Sequence, residues 1–149
     1  MELVATNRKA RRDYEVIETY EAGIQLFGTE VKSLRAKTVS IGEGYAGVDN
    51  GEVFLYDDHI APYAQGNIFN RNPKRKRKLL LNRDQIKRLY GKTQIRGFTM
   101  IPLKIYFNAK GIAKVELGLC RGKKVYDRRE EIKRRDLARL ERQMEKRRR

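Results

Sequence analysis

A run of basic side chains in the middle of the chain carries the strongest chemical signal in the sequence. Between Arg71 and Lys78, six of eight residues are Lys or Arg and none is acidic. Such dense like charge is self-repelling unless an anion neutralises it, and nucleic-acid phosphates are well suited to that role. A solvated loop is one alternative, and an anionic membrane is another, although residues 71–78 have no apolar face opposite their charges. The run therefore favours nucleic acid as the partner.

The rest of the charge is distributed just as unevenly. The chain has 149 residues, with 35 Lys plus Arg against 19 Asp plus Glu, a net charge of +16. Residues 7–12 carry four positive charges, whereas residues 13–70 carry ten acidic and only three basic side chains. Residues 121–149 again carry fourteen basic against six acidic side chains. The basic charge therefore belongs to an N-terminal arm, one loop and the C-terminal half.

Side chains that could support catalysis or hold a metal are few. Cys120 and His59 are the single cysteine and histidine, which excludes an internal disulfide and a Cys- or His-based metal cluster. The basic residues after Cys120 could lower its thiol pKa, but nothing places His59 nearby, so a buried or incidental cysteine is favoured. Asp57, Asp58 and His59 are adjacent on a strand and point to alternate faces, which makes a poor chelate. We predict no cofactor and no metal, with an enzyme as the weaker alternative.

The elements that would carry these residues are mostly short strands. β-branched, aromatic or alternating patterns predict strands over residues 14–20, 24–27, 45–48, 52–56, 99–107 and 112–119. In the last strand Lys114 and Glu116 share one face, and the apolar residues between them share the other. Residues 29–35 predict one helix, capped by Thr29. Residues 83–90 predict another, with Asn82 as its N-cap and Gly91 as its C-cap.

Turn signals connect these strands. Residues 21–23 are expected to interrupt the chain between the first two strands, and Asn50-Gly51 predicts a hairpin turn. The Gly42-x-Gly44-x-x-Gly47 spacing resembles a phosphate loop, but no helix pattern follows it, so turn and strand glycines are favoured. Six or seven strands with two or three short helices predict a mainly β fold. The simplest candidate is a small closed β-barrel of oligonucleotide-binding (OB) type.

Two regions are expected. Residues 1–126 would form the RNA-binding barrel, and residues 127–149 a basic C-terminal tail. The tail has only a narrow apolar stripe at helical spacing, so it should be loose when free and helical on an RNA surface. An ordinary exposed terminal helix is the alternative. No stretch is long and apolar enough to span a membrane, and the N-terminus has no secretion pattern, so we expect a cytoplasmic protein.

Several motifs occur together, in one order, over nearly the whole chain. They are Asn-Arg-Lys-Ala-Arg at 7–11, Tyr-Glu-Ala-Gly-Ile at 20–24, Gly-Thr-Glu-Val-Lys-Ser-Leu-Arg at 28–35, Arg-Lys-Leu-Leu-Leu-Asn at 77–82, Gly118 with Gly-Lys-Lys at 122–124, and Tyr-Asp-Arg-Arg-Glu at 126–130. In this combination the chain resembles the SmpB family, the SsrA-binding or tmRNA-binding proteins of bacterial trans-translation.

That resemblance implies an RNA-binding adaptor. Family members bind the tRNA-like domain of tmRNA (SsrA RNA). With elongation factor Tu they deliver aminoacylated tmRNA to stalled ribosomes, where the nascent peptide is tagged and the ribosome is rescued. We expect a monomer. The RNA-contact positions implied by the family fall on Tyr14, Glu21, Leu80, Asn82, Lys114, Lys123 and Lys124. A general RNA chaperone or a ribosome-associated OB-fold protein remains the alternative.

Physical chemistry supports some of these positions directly. Lys114, Lys123 and Lys124 can neutralise phosphates. Tyr14 can stack on an unpaired base, although ordinary strand packing would also explain it. Glu21 could accept hydrogen bonds from base edges, where a cation could not.

Two implied contacts have structural rivals. Leu80 could belong to the core or serve as an apolar prop under the RNA, and Asn82 could act only as a helix cap. In the tail, the resemblance implies contact with the small-subunit decoding centre and the empty mRNA path. The residues concerned are Tyr126, Asp127, Arg128 and Arg129. The family's usual Lys is Arg at position 128, which keeps the charge but replaces a point charge by a planar fork.

Overall fold

The computed structural model describes residues 1–63 and 72–122, together with residues 139, 142 and 143. Residues 1–63 and 72–122 contain three helices: α1 (Arg8–Asp13), α2 (Gly28–Arg35) and α3 (Arg83–Thr93). The strands are β1 (Glu2–Thr6), β2 (Tyr14–Ile24), β3 (Val39–Ser40), β4 (Tyr45–Asp49), β5 (Glu52–Tyr56), β6 (His59–Ile60), β7 (Arg77–Leu80), β8 (Phe98–Phe107) and β9 (Ala113–Gly122). No helix in the described ranges is long and apolar enough to cross a membrane.

The main sheet closes on itself through antiparallel pairings. The strand order is β1-β8-β4-β5-β7-β2-β9, and β9 pairs back with β8 along its length, from Phe98 opposite Arg121 to Phe107 opposite Ala113. β1 and β4 share the other edge of β8, and β3 with β6 forms a separate two-stranded sheet. This mainly β ring with three short helices confirms the predicted fold class and is consistent with the OB type.

Alternation along the strands builds the apolar interior of the ring. On β9, Val115, Leu117 and Leu119 are fully buried, as the sequence predicts. The two longer helices each contribute one fully buried leucine to the same cluster, Leu34 from α2 and Leu89 from α3. Side chains at the intervening strand positions therefore point away from this interior.

Local turn chemistry also agrees with the sequence. Asn50 and Gly51 adopt positive φ angles of 50° and 75° between β4 and β5, the conformation that a tight two-residue hairpin requires. Gly42 and Gly44 lie in the turn before β4, whereas Gly47 lies within β4 itself. These three glycines therefore belong to a turn and a strand, as favoured from the sequence, and the phosphate-loop alternative is wrong.

The predicted break after residue 20 is wrong, because β2 continues to Ile24. Gly23 stands between Leu80 of β7 and Lys114 of β9. A Cβ at position 23 would lie 3.2 Å from the Leu80 Cβ. The glycine therefore permits a close side-chain approach within a continuous strand rather than ending it.

The ends of the helices also differ from prediction. Helix α2 is capped from Phe27, whose N–H donates to Glu30 Oε1 at 2.9 Å, and not from Thr29. Helix α3 begins at the predicted cap but continues past Gly91 to Thr93. Residues 7–12, read as a basic arm, instead belong largely to α1, whose buried Ala10 packs on a small apolar cluster outside the main core.

Candidate nucleic-acid interface

Two of the implied RNA-contact residues, Leu80 and Lys114, lie in one line across three neighbouring strands. Gly23 of β2 pairs with Leu80 of β7 on one side and with Lys114 of β9 on the other. Their strand neighbours Leu79 and Val115 are buried in the core, so Leu80 and Lys114 point outward from the ring. Leu80 is 52% exposed. Its exposure rules out the core role that the sequence left open.

Glu21 joins this line through a tyrosine that the sequence did not single out. The Tyr106 hydroxyl donates to Glu21 Oε2 at 2.6 Å, and Tyr106 pairs in register with Lys114. Burial, together with the hydrogen bond to Glu21, raises the pKa of Tyr106 to about 12, so the phenol keeps its donor proton at neutral pH. Tyr106 therefore orients the Glu21 carboxylate. Strand alternation alone could place Tyr106 on the outer face, but only the fold puts it beside Glu21.

Asn82 adjoins the same surface and caps α3. Its Oδ1 accepts a hydrogen bond from the Gln85 N–H at 2.8 Å, and Gln85 Oε1 accepts from the Asn82 N–H at 3.2 Å. The cap role expected from sequence is confirmed. The side-chain amide nitrogen is not used by the cap, and Asn82 is exposed. We call Glu21, Leu80, Asn82, Tyr106 and Lys114 the outer patch.

Tyr14 lies away from the outer patch. It stands nine positions before Gly23 on β2, on the order of 30 Å along an extended strand. Its ring is half-buried against the cluster that contains Ala10 and Cys120. Tyr14 pairs with Gly122, the last residue of β9. The structure thus brings Glu21, Leu80, Asn82 and Lys114 together but leaves Tyr14 at the other end of the strand.

The remaining implied contacts are not placed. Lys123, Lys124, Tyr126, Asp127, Arg128 and Arg129 lie outside the described residues, as does Arg71. The roles that the resemblance implies for them stay predictions.

The basic run is not free of compensating charge, contrary to the interpretation of the sequence. Arg77 is fully buried, with its guanidinium 2.7 Å from Glu30 Oε2 and 3.0 Å from Asp58 Oδ1. It also donates to the carbonyl oxygens of Pro73 and Arg75, at 3.0 and 3.1 Å. An arginine enclosed in this way is a structural ion and cannot reach a phosphate.

Other cations of the run are engaged as well. Arg75 pairs with the Glu30 carboxylate and lies 4.7 Å from the Phe27 ring centroid. Lys78 Nζ lies 2.7 Å from Glu52 Oε1, and Lys76 Nζ lies 4.6 Å from the Phe54 ring centroid. Acids from residues 13–70, distant in sequence, therefore neutralise much of this charge.

The acids around Arg77 respond differently to burial. Burial raises the pKa of Asp58 to about 6, and the Arg77 guanidinium opposes the shift. The second carboxylate oxygen of Asp58, Oδ2, is buried and has no hydrogen-bond partner among the described residues, in keeping with that direction. Burial also acts against ionised Glu30, but the bonds from Arg75, the Phe27 N–H and Arg77 outweigh it and lower the pKa of Glu30.

The candidate catalytic residues do not assemble. Cys120 is buried, and desolvation raises the pKa of its thiol to about 11, opposite to the shift that a nucleophile needs. The buried-cysteine prediction is confirmed. His59 pairs with Ser40 in the small sheet, and Asp58 is held by Arg77. Among the described residues no group of three or more His, Cys, Asp or Glu side chains could hold a metal ion.

These features define a class of small basic protein: a closed ring of antiparallel strands whose outer face carries a cation, an oriented carboxylate and an exposed apolar side chain. Comparison with known families gives the particular one. A family model described as SmpB protein matches residues 4–147, and the chain belongs to that family.

Relatives and a solved structure agree with this assignment. An SsrA-binding protein of Moorella thermoacetica is 57% identical over 139 residues, covering 93% of this chain and 90% of its own. Another, of Pseudothermotoga lettingae, is 56% identical with 93% coverage of both. A solved chain described as "tmRNA-SmpB: a journey to the center of the bacterial ribosome" matches with a TM-score of 0.68 and 55% identity. The match covers 80% of this chain and 83% of that chain.

Proposed function

We propose that this chain is the tmRNA-binding adaptor of trans-translation, which binds the tRNA-like domain of tmRNA and delivers it to stalled ribosomes. The observation that carries the proposal is the outer patch, where a cation, a carboxylate acceptor and an exposed leucine meet on three neighbouring strands. Membership of the SmpB family and the names of the relatives support it. We assign no catalytic step to the chain.

The outer patch offers an RNA contacts other than those to its phosphates. Lys114 supplies a phosphate contact, and Leu80 offers apolar surface to a ribose or a base edge. Glu21 can accept only from a donor such as a base amine, and the Tyr106 hydroxyl fixes one of its oxygens at 2.6 Å. A fixed acceptor in a basic protein favours particular bases over bare backbone, because the carboxylate repels phosphates.

The second part of the proposal concerns the C-terminal tail. Residues 1–126 would form the tmRNA-binding unit. Residues 127–149 would enter the decoding centre and the empty mRNA path of the small subunit, with Tyr126, Asp127, Arg128 and Arg129 in contact with rRNA. Elongation factor Tu would accompany the complex, and the chain would act as a cytoplasmic monomer.

One comparison tests the tmRNA part. Affinity for the tRNA-like domain is measured against unrelated RNA of equal length over a series of salt concentrations. We expect clear preference for the tRNA-like domain, and Lys114→Glu should flatten the slope of log affinity against log salt by about one. Arg96→Glu, an exposed cation outside the outer patch, serves as the charge-matched control. Equal affinity for both RNAs would instead identify a general RNA chaperone.

A truncation separates the tail from the barrel. Removal of residues 127–149 should leave binding of the tRNA-like domain largely intact but abolish peptide tagging on stalled ribosomes. Reversing charge at Lys123 and Lys124 in the full chain should weaken tRNA-like-domain binding. Loss of RNA affinity on truncation, with tagging retained, would contradict the two-part division.

A further inference from the structure

A cleft of about 670 Å³ lies between the β4–β5 hairpin and one face of α3. The half-buried Val48 and Ile86 are apolar residues of its lining, and Tyr90, which is 53% exposed, also lines it. Arg83 and Lys87 line the same cleft. Because Arg83, Lys87 and Tyr90 are spaced four and three residues apart, they share one helical face. We call this the α3 cleft.

The cations of the α3 cleft are available for a ligand. Arg83 and Lys87 are exposed and form no ion pair in the part of the chain that the structure describes. Arg88, on another side of the helix, is bound to the Glu18 carboxylate of β2, with Nε 3.1 Å from Oε2. Asp49 is the one acid that lines the cleft among the described residues, and Lys76 Nζ lies 4.0 Å from its Oδ2.

The α3 cleft is contiguous with the outer patch. On the helix side, Arg83 directly follows Asn82. On the hairpin side, β5 follows the Asn50–Gly51 turn, and its Val53 pairs with Leu79, the neighbour of Leu80. An RNA strand that contacts Leu80 and Asn82 therefore has the α3 cleft beside it.

From this arrangement we propose that the α3 cleft binds an unpaired nucleotide of tmRNA, its base stacked on Tyr90 and the flanking phosphates on Arg83 and Lys87. This inference rests on the proposed function and extends the RNA surface beyond the outer patch. An exposed aromatic ring beside two exposed cations suits a nucleotide, because every base has a face that stacks and every phosphodiester linkage carries a negative charge. A folded, tRNA-like RNA offers such nucleotides in its loops.

The test uses the full-length chain and the transcribed tRNA-like domain of tmRNA, with affinity measured over a salt series. Tyr90→Ala should weaken binding about tenfold at physiological salt without changing the salt slope, because stacking is lost but no phosphate contact is. Tyr90→Phe keeps the ring and should bind within about twofold of wild type. Arg83→Ala with Lys87→Ala should make the slope less negative by about 1.5.

The matched control is Arg96→Ala, which removes an exposed cation just beyond α3 that does not line the cleft, and it should leave affinity within about twofold. The proposal would be overturned if Tyr90→Ala and the Arg83→Ala, Lys87→Ala double variant both bound RNA with wild-type affinity and salt slope. It would also be overturned if Tyr90→Ala and Tyr90→Phe lost the same amount of affinity. Unchanged affinity with loss of peptide tagging would also overturn it, since the occupant would then be ribosomal. Absence of preference for the tRNA-like domain in the wild type would instead refute the proposed function.

Discussion

Replacement of Arg77 distinguishes a structural role of this residue of the basic run from a role in RNA binding. In Arg77→Met the side chain keeps a comparable length but loses its charge and all its donors. Glu30 and Asp58 then remain beside an apolar side chain, although both are almost fully buried, with Glu30 4% and Asp58 0% exposed. We expect a large loss of stability with little specific effect on RNA affinity.

The magnitude follows from the burial. Removing one partner of a buried ion pair costs about 3–5 kcal/mol, because an uncompensated charge is left behind. Arg75 still pairs with Glu30, which limits the loss at that carboxylate, whereas Asp58 has only Arg77 as its ion-pair partner among the described residues. We therefore expect about 3 kcal/mol, which corresponds to a fall in Tm of roughly 10 °C for a chain of this size.

Urea unfolding followed by circular dichroism measures the free energy, and a salt series below the transition measures RNA binding. Lys74→Met removes an exposed cation of the same run and should change the unfolding free energy by less than about 0.5 kcal/mol. The reasoning is refuted if Arg77→Met unfolds within about 1 kcal/mol of wild type while its salt slope falls by about one. That result would make Arg77 a phosphate ligand.

Three further results are expected. Relative to Asp58→Asn, the unfolding free energy of the wild type should fall by about 2 kcal/mol as pH rises from about 4 to about 6. The folded state holds the Asp58 proton up to a pKa of about 6, above the ordinary value of 3.8, and a flat difference in urea titrations would contradict this. Because Cys120 is buried and its thiol pKa is raised to about 11, iodoacetamide should label it only as the chain unfolds, which mass spectrometry can follow in increasing urea. Tyr106→Phe frees Glu21 from its 2.6 Å hydrogen bond, so tRNA-like-domain affinity should fall by less than about tenfold with an unchanged salt slope.

Local patterns were sufficient for much of the fold. The alternation on β9, the Asn50–Gly51 turn and the Asn82 cap each depend on residues close together in the chain, and all three are confirmed. The ends of strands were predicted wrongly where an element distant in sequence decides them. Gly23 looks like a strand breaker by itself, and only its position between β7 and β9 explains why the strand continues.

The candidate site depended more heavily on distant contacts. Tyr106 and Glu21 are 85 residues apart, and Arg77 lies 47 residues from Glu30 and 19 from Asp58. No periodicity links such positions. The family resemblance implied an RNA contact for Glu21, but the tyrosine that bonds its carboxylate, and the acids that neutralise Arg77, became visible only once the strands were paired.

Charge counted along the sequence is therefore a poor measure of charge offered to RNA. The acidic-leaning segment 13–70 supplies Glu30 and Asp58 to Arg77, and Glu52 to Lys78, so two segments of opposite charge largely cancel where they meet. In the described ranges, Lys114 of the outer patch and the two cations of the α3 cleft are the positions we assign to phosphate. Three phosphate contacts account for a salt slope of only about −2 to −3. The net charge of +16 therefore overstates the charge that the described surface offers to RNA, because acids of residues 13–70 pair with much of the basic run.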